Sequence, residues 1–82
     1  LDMTVALNEA QIDVNVVGIH GDESVVIELI GMDGRIIATG SENPYGTKVS
    51  KQFDATSLQT GIYFVRVGNA NFQKAARVLV SK

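Results

Sequence analysis

Gln11-Ile12-Asp13-Val14-Asn15-Val16-Val17 sets three β-branched residues, Ile12, Val14 and Val16, in strict alternation with Gln11, Asp13 and Asn15. Successive side chains of a strand point to opposite faces, so this spacing gives a strand with one buried face; on a helix the same three residues would scatter around the axis. A second stretch, Ile62-Tyr63-Phe64-Val65-Arg66-Val67, is rich in β-branched and aromatic residues. It sorts Tyr63, Val65 and Val67 onto one face and Phe64 and Arg66 onto the other. Between them the two stretches establish a period of two, and no segment carries a 3.6-residue apolar stripe.

The neighbouring segments follow the same rule. Residues 24–32 place Val25, Ile27 and Leu29 on one face and add Val26 and Ile30 on the other, which predicts a strand buried more heavily than its neighbours. Asp33-Gly34 reads as a two-residue hairpin turn, since both residue types tolerate positive φ, and it pairs 24–32 with a strand over 35–39. Residues 40–46, with Asn43-Pro44 among them, read as a loop. Residues 48–53 put Val49, Lys51 and Phe53 on one side, a mixed face that suits an edge strand guarded by an inward lysine. Residues 54–61 form a polar corner around a single apolar plug, Leu58. Residues 68–71 make the next turn, 72–80 the last strand, and a weaker run over 4–7 the first. About seven short strands at turn spacings of roughly 8 to 12 residues predict an all-β, immunoglobulin-like sandwich of antiparallel strands. The cysteine pair and core tryptophan of antibody domains are both missing.

A chain of 82 residues has room for one hydrophobic core, so 1–82 is expected to be a single β-sandwich domain. Its start at Leu1-Asp2-Met3, without an initiating methionine, reads as a fragment cut from a longer protein. With no cysteine, disulfide staples, thiolate metal sites and thiol catalysis are removed together. A net charge of -2 spread along the chain lacks the dense positive field that phosphate backbones attract, and no nucleic-acid partner is expected. The apolar runs are far short of the roughly 20 residues that span a bilayer as a helix, which excludes membrane insertion by that route.

Candidate chemistry is sparse. His20, the single histidine, precedes Gly21-Asp22 and reads as a solvated turn residue, with no second imidazole to share a metal. Asp22-Glu23 would diverge on a strand rather than meet on one substrate. Asp33-Gly34-Arg35 has the composition of an anion-cradling tip but is first of all a turn. Tyr63 reads as a packed ring with its hydroxyl tied to corner backbone, Arg66 as a partner for an acid across the sheet, and Tyr45 as the aromatic left free for a ligand. No nucleophile, base and oxyanion donors assemble, so no enzyme, no catalytic residue, no metal, no cofactor and no small-molecule ligand are expected.

Taken in order, the motifs resemble the C-terminal sorting domain of the type IX secretion system of Bacteroidota. Val26-Ile27-Glu28-Leu29 leading to Met32-Asp33-Gly34-Arg35-Ile36-Ile37 is similar to that family's strand, Asn/Asp-Gly-Arg turn and apolar strand. Asp54 to Val67 is similar to its most recognisable segment, an Asp, then Ser-Leu, then Gly-x-Tyr-x-Val-Arg-Val, and Arg77-Val78-Leu79-Val80-Ser81-Lys82 to its basic-then-apolar end. The likeness runs from about Val25 to Lys82. Asn8-Glu9-Ala10 stands where members often carry a Tyr-Pro-Asn-Pro-like lead-in, and Gly31 where an acidic residue often precedes the turn.

The resemblance implies a signal without catalysis, recognised in the periplasm by the outer-membrane translocon and commonly removed by a sortase-like peptidase that anchors the cargo to the cell surface. It carries the recognition role to Gly34, Arg35, Gly61, Tyr63, Val65, Arg66 and Val67, and to Val78, Leu79, Val80 and Lys82 at the end. It implies an exported protein, in the periplasm in transit and then surface-bound or secreted. An exposed last strand would bind by adding to a partner's sheet. Two other readings are a non-catalytic immunoglobulin-like accessory or spacer module of an extracellular protein, and a sorting-like domain retained in a secretion-machinery component.

Overall fold

The computed structural model describes residues 1–81. Seven antiparallel strands follow one another: β1 (Asp2–Asn8), β2 (Gln11–Val17), β3 (Val25–Ile30), β4 (Ile36–Glu42), β5 (Lys48–Asp54), β6 (Gly61–Gly68) and β7 (Gln73–Val80). They form a three-stranded sheet in the order β1-β2-β5 and a four-stranded sheet in the order β4-β3-β6-β7. No helix is present among the described residues, and none therefore crosses a membrane as a helix. The expected immunoglobulin-like sandwich is what forms. Its fourth strand stays beside the third in the second sheet instead of joining the first, because the short β3–β4 hairpin leaves no length to cross over.

The alternation read in β2 holds residue by residue. Ile12, Val14 and Val16 are buried and stand opposite Phe53, Lys51 and Val49 of β5. From the other sheet Val25, Ile27, Leu29, Val65, Val67, Val78 and Val80 close the core, and Ile19, Ala55 and Leu58 plug it from the connections. Among the described residues no polar or charged residue is buried. The inward lysine is real: a Cβ on Gly40 would stand 2.9 Å from the Lys51 Cε, and the Lys51 ammonium lies 5.7 Å from the Phe53 ring centre. The aliphatic stem of Lys51 thus packs across the sandwich edge where β4 faces β5, and its charge keeps that edge unattractive to another strand.

Two expectations change, and one holds in a qualified form. The fourth strand begins after Arg35 and continues past Thr39, pairing Gly40 with Ile27 and Glu42 with Val25; residues 40–42 belong to the sheet because a glycine there leaves room for Lys51, a tertiary demand that loop-like composition conceals. The β3–β4 turn is a three-residue loop, not a two-residue one. The Gly34 N–H donates to the Gly31 carbonyl at 3.0 Å, the Gly31 N–H to the Arg35 carbonyl at 2.8 Å, and only Gly34 has positive φ, at 86°. This is the pattern of a turn closed by a glycine bulge. As expected, β3 is buried more heavily than its neighbours β4 and β6, although its outer face stays open, with Val26 45% exposed and Ile30 half-buried, because only one face of the four-stranded sheet has a second sheet to pack on.

The β1–β2 hairpin turns through Glu9-Ala10 between the paired Asn8 and Gln11, and Glu9 has φ of 55°. A non-glycine residue there carries a steric cost that a glycine would not. Glu9→Gly is expected to raise stability by about 0.5 to 1 kcal/mol, with an unchanged denaturant slope, in urea unfolding.

Candidate functional site

The two segments singled out in the sequence, the Asp33-Gly34-Arg35 turn and the 54–61 corner, meet at one end of the sandwich. They border an open hollow with Met32 and Ile37 on the hairpin side and Leu58, Gln59 and Tyr63 on the corner side. Each wall is built by short-range hydrogen bonds. Asp33 Oδ1 accepts the Arg35 N–H at 3.0 Å, which stiffens the tip. Between the Asp33 and Arg35 side chains the only link is a loose 3.9 Å ion pair, with the side chains 67% and 78% exposed, so the guanidinium is presented to solvent. Gly31 is crowded: a Cβ would meet Asp33 Oδ1 at 3.0 Å and Ile37 Cδ1 at 3.3 Å. This packing accounts for a glycine at the position before the turn.

On the corner side, Asp54 Oδ1 accepts from the Thr56 N–H at 2.9 Å and its hydroxyl at 2.8 Å, and the Leu58 N–H donates to the Ala55 carbonyl at 3.1 Å. The Ala55 N–H reaches the Ala10 carbonyl at 2.7 Å, tying the corner to the β1–β2 turn. These bonds let Leu58 and Ala55 drop into the core. The Tyr63 hydroxyl donates to the Gln59 carbonyl at 2.7 Å. A tyrosine at the start of the sixth strand reaching back to corner backbone is the tyrosine corner of immunoglobulin-like sandwiches.

The residues named for recognition fall into separate environments and do not form one site. Val65, Val67, Val78 and Val80 are core. Tyr63 is held by its corner bond. Arg66 sits directly across from Glu28, with Nε at 2.8 Å and Nη2 at 2.6 Å from the same carboxylate oxygen, so the acid expected opposite it is Glu28. Gly34 and Arg35 lie at the exposed hairpin tip and Gly61 begins β6. Leu79 points outward and is 60% exposed; Lys82 lies outside the described residues.

Elsewhere, His20 is exposed, and Asp22 and Glu23 lie in the connection after β2 rather than on a strand. Tyr45 is 91% exposed, on a tight turn closed by paired bonds with Lys48. Among the described residues no three histidine or acidic side chains gather as metal ligands. Sequence reasoning missed Ile19 and Ala55 as core residues, each an isolated apolar residue in a connection with no period to reveal it.

Tyr63→Phe is expected to cost about 1 kcal/mol in chemical denaturation while leaving the strand content unchanged by circular dichroism. A double-mutant cycle on Arg66→Ala and Glu28→Ala should return a coupling of about 1 kcal/mol that shrinks in high salt.

Comparison with known families gives one finding: a family model described as the secretion system C-terminal sorting domain matches residues 4–81. The match therefore extends through the first two strands, beyond the stretch from Val25 where the motifs lie. A search of curated proteins gave no match.

Proposed function

This chain belongs to the secretion system C-terminal sorting domain family, a sorting signal of type IX secretion, and we propose that it is read as a folded domain by the outer-membrane translocon while its protein is in the periplasm. The signal marks an exported protein and engages the type IX machinery. The family is not known as catalytic, and no reaction is assigned to the chain: any cleavage that releases the cargo and fixes it to the cell surface is carried out by a sortase-like peptidase acting on it. In this reading residues 1–82 are the terminal domain of a larger exported protein, which ends at the outer-membrane surface or in the medium.

The observation that carries the reading of a folded signal is the burial of Val65, Val67, Val78 and Val80. Side chains that fill a core cannot also meet a receptor without unfolding the domain, so these motif positions define the shape that is recognised rather than the contacts. Contact then falls to the exposed members: Gly34 and Arg35 at the hairpin tip, Arg66 on β6 and Leu79 on the last strand. β7 is the edge of the four-stranded sheet. It is eight residues long and keeps an unbroken register with β6. A regular edge strand of this kind supports binding by strand addition to a partner sheet.

The reading is tested with a reporter fused ahead of residues 1–82 in a bacterium with an active type IX system. The full fusion should reach the surface or medium, and a fusion lacking residues 78–82 should stay in the periplasm. Because that deletion also removes core valines, Arg35→Ala is the cleaner variant. It should lower the exported fraction severalfold with an unchanged melting temperature, as expected for an exposed contact residue. Retention of the intact fusion in a folded state would refute the reading.

A further inference from the structure

The two outer faces of the sandwich are unlike. On the three-stranded sheet the outward rows are mostly polar, with Val17 as the one large apolar residue: Thr4, Asn15 and Ser50 stand side by side, as do Asn8, Gln11 and Asp54, and the Ser50 hydroxyl donates to Asn15 Oδ1 at 2.8 Å. On the four-stranded sheet one cross-strand row reads Ile36, Ile30, Phe64, Arg77. Next to it toward one end Ile62 stands opposite Leu79, while toward the other end the Glu28–Arg66 row intervenes before Val26. Ile36 is 48% exposed and Phe64 38%. An antiparallel sheet with one solvated face ordinarily keeps that face polar, and a contiguous apolar patch marks an interaction surface.

The charges on this face are specific. Glu28 and Arg66 neutralise each other in its middle. Arg77 extends the apolar row at the β7 edge and makes no ion pair among the described residues. An otherwise acidic domain, with net charge -2, therefore shows an unneutralised cation here.

Resting on the sorting reading, we propose that this face is the docking surface for a protein of the secretion machinery that presents aliphatic or aromatic side chains flanked by a carboxylate for Arg77. A second copy of the chain fits poorly. A two-fold pairing of the row on itself would set each Arg77 over the other copy's Ile36, burying a guanidinium without an acid. The apolar positions cover roughly 200 Å² from strand and residue spacings, about a quarter of what each partner in a stable dimer buries. That area suits a face engaged together with the adjoining β7 edge, where strand addition supplies the remainder.

The test uses the reporter fusion with Ile36→Thr/Phe64→Thr, which keeps strand-forming residues, and with Arg77→Glu; Asn15→Ala/Gln52→Ala on the polar face is the control. The face variants should export at least about tenfold and severalfold less than the parent, while the control exports normally and all remain folded by melting and protease resistance. Arg77→Glu carries the test if the double substitution unfolds the domain. If folded face variants export like the parent, this inference is overturned while the sorting reading stands. If the folded parent is itself retained, the sorting reading falls, and this inference with it. Sedimentation of the free domain as a dimer that Ile36→Thr/Phe64→Thr dissociates would also overturn the inference, by assigning the face to a second copy.

Discussion

Everything in this domain depends on a layer of aliphatic side chains between two sheets, with no covalent staple through it. Where antibody domains join their sheets by a disulfide, Val65 stands two residues beyond the corner tyrosine, fully buried, as the second cysteine of those domains would. With no cysteine in the chain, cohesion comes from burial and from hydrogen bonds at the ends of the sandwich. That explains why the connections that carry core residues are so carefully tied: Tyr63 to Gln59 and Ala55 to Ala10 at one end, Ile19 to Thr47 at the other. Each bond fixes a connection whose apolar residue caps the core, so loss of a bond exposes the layer at its open end.

Strand periodicity made the sheets legible, because a period of two needs only a few residues to declare which face is buried. Ile12, Val14 and Val16 told the whole arrangement of β2, and Lys51 was legible as an inward guard of β5. The errors came where a neighbour decides. Gly40 looked like loop until the stem of Lys51 filled the space beside it. Val26 and Ile30 marked β3 as the strand buried more heavily than its neighbours, which it is; their own face nevertheless lies open to solvent. The outer apolar face is visible only once the register aligns Ile36, Ile30 and Phe64.

The candidate site was legible as motifs and not as geometry. The order of the Asp-Gly-Arg turn, the Ser-Leu corner and the Gly-x-Tyr-x-Val-Arg-Val strand pointed to the family that the match over residues 4–81 establishes. Which of those residues are free to touch a partner could not be read from their order. A family pattern mixes positions that hold the fold with positions that act, and burial is what separates them.

β6 puts both kinds in one segment. Val65 and Val67 face the core, while Phe64 and Arg66 face out, and the pleat forbids any residue from belonging to both sets. A one-residue slip would exchange the two faces, exposing the valines and driving Arg66 inward, so recognition and stability on this strand stand or fall with its register. The Arg66–Glu28 pair bears on that register more than on raw stability. Partly exposed and screened, it contributes at most about 1 kcal/mol in the native alignment, but a slipped strand would break it and force a guanidinium into a core where, among the described residues, no polar residue is buried. The motif strand thus carries within itself the ion pair that penalises the wrong register.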